Sequence, residues 1–520
     1  MTRVGVFGWG VVAPRSPNIE AFAKNLASSE SWLAPFNGFG PDNFLVGWPD
    51  FDFETCRPWV EARFPPSRFH QLVGKMGTPT KYAIGCFIQA LEQNPGLEEE
   101  LQKLDLATHV YIGTGVGDIP TIHDASLSLY HAQRRWDRFW SEPCRNSAFA
   151  QWEKAGRPPE GVPADPALAL PDARDEAESR WWHYWASRSP QLREYLEEIR
   201  QIESANVEGD IEKGKLHMLK HKQRQTDKLN QKWNAPEPPW KAVTANVIWN
   251  IHNTPSSQIS MLGRFHGFSI APIGACATFG VCLKLGLDAI RRGEAKAAIV
   301  GATEPVPHPV TVGSMFGARV LAADADVSRP LHGLRGTHVA GGAVLWIVGD
   351  WDHMTSRGFR PLGMEPLSVG VSNDAHHIIT PSKEGPLFSI RGAFEQAGVR
   401  PEDISTWDLH ATATPGDYLE VENLLDAVPN SVLVTARKGT FGHGMGAGGG
   451  WELTAQYLGA ERKTIFPTPL TEEQLHPAIR GLHQLFVFDK ACDVRPGIAG
   501  KLSMGVGGVN ACVLSRPLGS

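Results

Sequence analysis

A cysteine stands where a strand-like run gives way to a helical one. In FSIAPIGACATFGVCLKLGLDAIRRGE, residues 268–294, small residues precede Cys276 and a helical pattern follows it as far as Gly293. Unpaired N–H groups and the helix dipole at such a start favour an anion, so the position is expected to lower a thiol from its free value of about 8.5 toward the nucleophilic thiolate. By position alone Cys276 reads equally as a buried structural cysteine, and Cys282, further along the same pattern, reads as core. His410 directly follows the apolar run of WDLHATATPGDYLEVENLL, ahead of Thr412, Thr414, Asp417 and Glu420, which puts it at a strand end facing a loop. In TARKGTFGHGMGAGGGWELTAQYLGAERK, Lys438 comes five residues before His443, and a glycine-rich turn then admits close backbone approach before a helix. Singly, each histidine is the type of a satisfied structural residue and Lys438 that of a surface charge.

The elements that must position these residues are α/β. Short β-branched runs at 4–7, 108–114, 296–302 and 343–349 alternate with helical patterns, and the alternation recurs near 384–398, 431–436 and 511–516. Between about 128 and 240 strand signals vanish, and charge, proline and tryptophan dominate, including Trp136, Trp140, Trp152, Trp181, Trp182 and Trp185. This stretch reads as a helical insertion. Leu192, Leu196, Ile199 and Ile202 recur at helical spacing beside a basic stretch from Lys213 to Lys232, giving paired amphipathic helices whose charge is a solvated face or, alternatively, a docking surface for an acidic partner. The Pro-rich runs at 155–172 and 235–240 read as linkers.

Bulk composition narrows the classes. With 520 residues the chain holds two packed halves or an enlarged core, and 42% apolar with 20% charged residues is ordinary for a soluble globular protein. A net charge of -6 gives no reason to propose nucleic acid. The seven cysteines form no CxxC pair, which fits neither a disulfide framework nor a zinc knuckle, so a reducing cytoplasm is expected. MTRVGVFGWG lacks the pattern of a signal peptide, and no apolar run reaches the roughly 18 residues that span a bilayer, so no membrane is expected. There is no HExxH or Cys/His cluster, and no metal is expected.

Four separated motifs carry a resemblance. GAC at 274–276, HATATPGD at 410–417, KGTFGHGMGAGG at 438–449 and SMGVGGVN at 503–510 resemble, in order, the nucleophile elbow, HGTxTPxGD, KxxxGHxxGAAG and SFGFGGTN of the beta-ketoacyl synthase (condensing enzyme) family of the thiolase superfamily, similar to the beta-ketoacyl-ACP synthases I and II. SNDAHHIITP at 372–381, FGARVLAADADVSRP at 316–330 and the opening GVFGWGVVAP fit as well. The resemblance implies a thiolase-like fold, two βαβαβ halves in a five-layered αβαβα core. Residues 1–350 are then the nucleophile half, with the insertion at about 128–240, and 351–520 the half carrying both histidines.

It also implies an activity: decarboxylative condensation of an acyl thioester held on Cys276 with malonyl on an acyl carrier protein. His410 and His443 then bind the thioester oxygen, Lys438 orients them, and the N–H groups of Cys276 and Val506 form the oxyanion hole. Thr412 and Thr414 hold the pantetheine arm, with Met504, Val506, Gly507 and Gly508 lining the substrate site. A thiol, two imidazoles and an ammonium are the groups such chemistry needs. No cofactor is implied beyond the phosphopantetheine that arrives on the carrier; the expected partners are that carrier and a second copy of the chain in a homodimer. Departures from the pattern are Gly341 in place of a glutamate, Met504 and Val506 in place of an aromatic pair, Val509 in place of a threonine, and a HATATPGD motif shorter by one residue. Three other readings stand beside this one. A thiolase or chain-initiating synthase is weighed against by the second histidine, His443, with Cys512 read as core. A non-condensing, chain-length-factor-like partner subunit would lack the nucleophile. A dinucleotide enzyme rests only on GWGVVA at 8–13, a weak match.

Overall fold

The computed structural model describes residues 2–40, 44–156, 160–206 and 211–519, without side chains at 211–214 and 216. It divides into two units, Met1–Thr121 with Ile248–Ser520, and Ile122–Val247.

In the larger unit the first sheet and its helices comprise β1 (Val4–Val12), α1 (Thr78–Glu92), β2 (Thr108–Gly113), α2 (Thr254–Gly263), β3 (Ser269–Ile270), α3 (Thr278–Arg291), β4 (Ala297–Glu304) and β5 (Gly342–Asp350). The strands lie in the order β1-β5-β4-β2-β3, with β2 parallel to both neighbours and β5 antiparallel to both of its own. VGVFGWGVV, AAIVGATE and GAVLWIVGD are buried throughout, the pattern of strands covered on both faces. GWGVVA is therefore strand interior and opens no phosphate-binding turn; a Cβ on Gly10 would fall 2.0 Å from the Cys86 carbonyl oxygen, so this glycine lets α1 lie close.

The second sheet and its helices comprise β6 (Met364–Asn373), α4 (Glu384–Ala397), β7 (Ile404–Asp408), α5 (Gly416–Ala427), β8 (Leu433–Thr435), α6 (Met445–Arg462), β9 (Leu485–Phe486), β10 (Ile498–Gly505) and β11 (Val509–Pro517). Its order is β9-β8-β7-β10-β11-β6. Helices α3 and α6 are sandwiched: Phe279, Leu283, Trp451 and Leu458 share one core with Val300 and Trp346 of the first sheet and Val369 and Val513 of the second. On the outer faces, Ile84, Phe87 and Leu262 cover Val110 and Ile347, while Ile390, Val421 and Leu424 cover Trp407, Val434 and Leu514. The result is the five-layered αβαβα, thiolase-like architecture. Trp451 is the keystone of the middle layer, wholly buried with its Nε1–H on the Ala343 carbonyl at 3.0 Å, and truncating such a residue to alanine costs about 3–5 kcal/mol.

The smaller unit is helical, as its sequence texture predicts. Trp136, Trp140, Leu192, Tyr195 and Leu229 form its core, with Leu196, Ile199, Ile202 and Trp233 packed against it, so the apolar faces of Pro190–Glu203 and Ile211–Trp233 meet. Lys232 pairs with Glu198 at 2.8 Å and Lys222 with Glu203 at 3.3 Å, so part of the basic stretch is neutralised locally. The first Pro-rich stretch falls partly on 157–159, outside the described residues; its remainder includes the start of a helix at Pro171.

Candidate active site

Cys276 lies in a single 3₁₀ turn, Ala275–Ala277, that leads directly into α3. Two bonds tie the elbow: Gly274 N–H donates to Thr278 Oγ1 at 3.0 Å, and that hydroxyl donates to the Ala275 carbonyl at 2.7 Å. Ala275 is left-handed at φ 46°, a strained state for a residue with a Cβ and of the kind found where a nucleophile is thrust into a site. The end of β10 presses on the elbow, since a Cβ on Gly505 would sit 2.7 Å from the Gly274 carbonyl oxygen and 3.2 Å from the Cys276 nitrogen.

The expected lowering of the thiol pKa is not what this environment produces. Cys276 is buried, and burial pushes its thiol up to about 11. The Lys438 charge and the N–H groups of Val506 and of Cys276 itself pull the other way, and Glu304 adds to the rise. The loss of water around the sulfur outweighs the groups that favour the thiolate. The two N–H groups on the sulfur are the pair named from the resemblance for an oxyanion hole.

His410 lies two residues beyond the end of β7, at a strand end as its sequence context predicts, and His443 two residues beyond the one-turn helix Lys438–Phe441. The two rings meet edge to face at 5.4 Å, and one nitrogen from each lies, with the Cys276 sulfur, within 4.8 Å of the others. Met445 N–H donates to His443 Nδ1 at 3.1 Å, and the Lys438 ammonium stands 3.4 Å from His410 Nδ1. With each Nδ1 facing a donor, the neutral rings carry their proton on Nε2. Burial holds both imidazoles well below their usual 6.5, and the positive charges of Lys438 and Lys501 deepen the shift. The site therefore holds two neutral N–H donors beside a neutral thiol.

A cavity of about 460 Å³ is lined by Cys276, His410 and His443 together with Thr412, Thr414, Met504, Val506 and Gly508. Thr412 and Thr414 bond to each other at 3.0 Å, on a loop gathered by the Asp417 carboxylate, which accepts the N–H groups of Thr412, Ala413 and Leu331. Two residues named from the sequence stand off the cavity wall. Lys438 is buried behind His410, where it also donates to the His410 carbonyl, and Gly507 turns away at φ 90° to bond the Ile378 carbonyl at 2.7 Å. Gly341, where the family has a glutamate, has no room for one, because a Cβ would fall 2.2 Å from the Pro305 carbonyl oxygen. Cys282 and Cys512 are fully buried, the latter within β11.

Five charged groups at or behind the site escaped the sequence reading. Glu304, at the end of β4, accepts the N–H groups of Gly115, Val116 and Gly446, and burial raises its carboxyl to about 8. Glu452 pairs with both Lys438 and Lys501, and Asp408 with Lys501 and Arg437, all of them buried. The available signal was a single charge inside an apolar run, as in IAGKLSMG and GGGWELTA. Among the described residues the thiol and two imidazoles are also a set of soft donors, but cations stand directly behind them.

Residues 217–348 match the family model for the beta-ketoacyl synthase N-terminal domain and 365–471 that for the C-terminal domain. Chloroplastic 3-oxoacyl-[acyl-carrier-protein] synthase I of Arabidopsis thaliana is 35% identical over 191 residues, covering 35% of this chain and 40% of that protein. The chloroplastic synthase I of Hordeum vulgare is 29% identical over 52% of this chain and 60% of its own length, and synthase 2 of Staphylococcus aureus 30% identical over 41% and 55%. These matches span about half the length of the curated relatives. Among solved structures, the ishigamide ketosynthase/chain length factor aligns over the whole of both chains with a TM-score of 0.69 at 21% identity. A beta-ketoacyl synthase from Burkholderia phymatum gives 0.69 at 16%, also over both chains. Matches to both domain models, carried on a fold shared with solved ketosynthases, show that the chain belongs to the beta-ketoacyl synthase family of the thiolase superfamily.

Proposed function

We propose that the chain is a beta-ketoacyl-ACP synthase, an acyltransferase that condenses an acyl thioester with malonyl on an acyl carrier protein in fatty acid or polyketide-type biosynthesis. The observation that carries the reading is the convergence of one thiol and two neutral imidazoles in the lining of one cavity of about 460 Å³ that Thr412 and Thr414 also line. The Cys276 sulfur attacks the acyl carbonyl, its proton leaves with the departing pantetheine thiol, and the N–H groups of Cys276 and Val506 hold the transient oxyanion. Malonyl thioester enters the emptied site, its bond to the carboxylate breaks, and CO₂ departs. The electron pair stays as an enolate whose oxygen takes the Nε2–H bonds of His410 and His443. The enolate carbon then attacks the acyl group, and the Cys276 thiolate leaves and regains a proton. Thr412 and Thr414 line the cavity where the pantetheine amides would lie, Lys438 holds His410 from behind, and no resident cofactor or metal is needed.

The same reading takes residues 1–350 and 351–520 as the two thiolase-like halves and the chain as a homodimer. Supporting the second point, β3 is an edge strand with Phe268 and Ile273 exposed beside it, an arrangement that a second copy would cover. Cytoplasmic placement is part of the proposal; no helix among the described residues is long and apolar enough to cross a membrane. The chain-length-factor-like alternative is disfavoured by the retained Cys276. Intact mass after incubation with acyl carrier proteins bearing short, medium and long chains tests the proposal. An acyl adduct that Cys276→Ala abolishes, converted to ketoacyl product by malonyl carrier, supports it; a wild type that takes no acyl group overturns it in favour of a silent partner subunit.

A further inference from the structure

Behind the imidazoles runs a buried string of charge that the chemistry above does not call on. Arg437, Lys438, Lys501, Asp408 and Glu452 are each at most 2% exposed. Strand register sets Asp408 of β7 beside Thr435 of β8 on one side and Lys501 of β10 on the other. Glu452, from α6, stands between two ammonium groups, Lys438 at 2.7 Å from Oε1 and Lys501 at 2.8 Å from Oε2, the second an ion pair without hydrogen-bond alignment. Lys501 also lies 3.7 Å from Asp408 Oδ1, while Oδ2 of that carboxylate accepts from Arg437 at 3.1 Å and Thr435 at 2.6 Å. The lysines grip consecutive carbonyls: Lys501 donates to Leu409 at 3.2 Å and Lys438 to His410. From α5, Glu420 completes the surround, accepting the N–H groups of His410 at 2.6 Å and Ala411 at 2.8 Å, and Cys512 of β11 feels the Lys501 charge.

A cation in a dry interior costs several kcal/mol before pairing returns it, and apolar side chains of like volume commonly serve the fold as well or better. Lys501 is therefore not required by packing, and apart from the Leu502 carbonyl, to which it also donates, its partners lead to one histidine. We infer that Lys501 is a positioning residue for His410: it holds the Leu409 carbonyl and shares Glu452 with Lys438, so that Lys438 faces His410 Nδ1 as a cation and Nε2–H points into the cavity. The inference rests on the condensing function proposed above and deepens it. The Lys501 charge also opposes protonation of both imidazoles, so its loss moves their titration to higher pH.

The test compares CO₂ release from a malonyl-loaded acyl carrier protein, across pH, with acylation of Cys276 by an octanoyl-loaded carrier. Lys501→Met is expected to lower the turnover number for CO₂ release at least tenfold and to move its acid limb upward, with acylation within threefold of wild type. Lys501→Met/Asp408→Asn removes one charge of each sign, protecting the fold, and is expected to keep the loss in CO₂ release. A folded variant, single or double, that releases CO₂ within twofold of wild type overturns the inference. Equal losses in both steps with an unmoved acid limb in Lys501→Met overturn it too, since that is the mark of a merely structural lysine. An active wild type beside a Lys501→Met protein with unchanged CO₂ release and acid limb overturns the inference alone, whereas a wild type that neither acylates nor releases CO₂ overturns the condensing function and the inference with it.

Discussion

The thiol and the imidazoles share one cavity but are held by opposite surroundings. Cys276 sits on a strained elbow with a carboxyl, Glu304, among its neighbours; His410 and His443 sit before a wall of ammonium groups. Burial raises the thiol to about 11 and drops the imidazoles well below 6.5, because it disfavours the charged form whatever its sign. The resting site is thus uncharged at its reacting atoms, with its fixed charge one layer back. The thiol side must pass off a proton to act, whereas the imidazole side is ready as it stands, a set of preorganised donors for an oxygen that becomes negative only during reaction.

The largest expected effect separates the two sides outright. Cys276→Ala should abolish the acyl adduct and lower condensation by more than about 10³-fold, since Cys276 is the one cysteine among the described residues lining the cavity, while CO₂ release from malonyl carrier survives on the histidines. Intact mass and a CO₂ assay on the same sample check this, and loss of both activities would break the division. Next, His443→Ala and His410→Ala should each lower CO₂ release by about 10²–10³-fold, the worth of one oxyanion donor, with acylation of Cys276 within about fivefold. Acylation falling in step with CO₂ release would mean that the imidazoles serve the thiol instead of the enolate.

The two sides also differed in how far the sequence disclosed them. Apolar runs placed β4 and β5 to within two residues, because a strand covered on both faces admits little else, and fixed the start of β1 but not its end, since the run read at 4–7 continues through Gly8 and Gly10 to Val12. The placement of Cys276 at a helix start was legible for the same local reason, as was His410 at a strand end. The sign of the thiol shift was not: the dipole is written in the local sequence, but desolvation depends on Gly505 and the end of β10, which arrive more than 200 residues later. Nor does spacing show that His410 and His443 meet; that came from resemblance. Lys501 and Asp408 passed unnoticed because a lone charge in an apolar strand reads as an interruption until the neighbouring strand supplies its partner.

Titration gives a smaller but sharper contrast. Alkylation of Cys276 by iodoacetamide should climb about tenfold per pH unit through the alkaline range toward a midpoint near 11, following the thiolate. CO₂ release should stay flat as pH falls from 8 through 6.5, because both imidazoles titrate well below that value in the folded protein. The sign for stability follows. Unfolded histidines take up protons as pH drops through about 6.5 and the buried ones do not, so folding free energy falls with acid in that window. A CO₂ profile with an acid limb at 6.5 would show that the wall of cations does not reach the rings.

Glu304 supplies the smallest and most local test, since it is the titratable carboxyl on the thiol's side. Glu304→Gln keeps an oxygen for the N–H groups of Gly115, Val116 and Gly446 but removes the charge, so the Cys276 midpoint should move down and alkylation at pH 9 rise severalfold. The same variant has a stability signature of definite sign. A buried carboxyl raised from 4.5 to about 8 keeps its proton where the unfolded chain has lost it, so its contribution is full below 4.5 and is lost as pH rises through 8. Wild type should therefore lose urea resistance between pH 6 and pH 9 more steeply than Glu304→Gln. If the two lose it equally while alkylation still accelerates, Glu304 acts on the sulfur as an ionised carboxylate at both pH values, held so by its three N–H donors against the pull of burial.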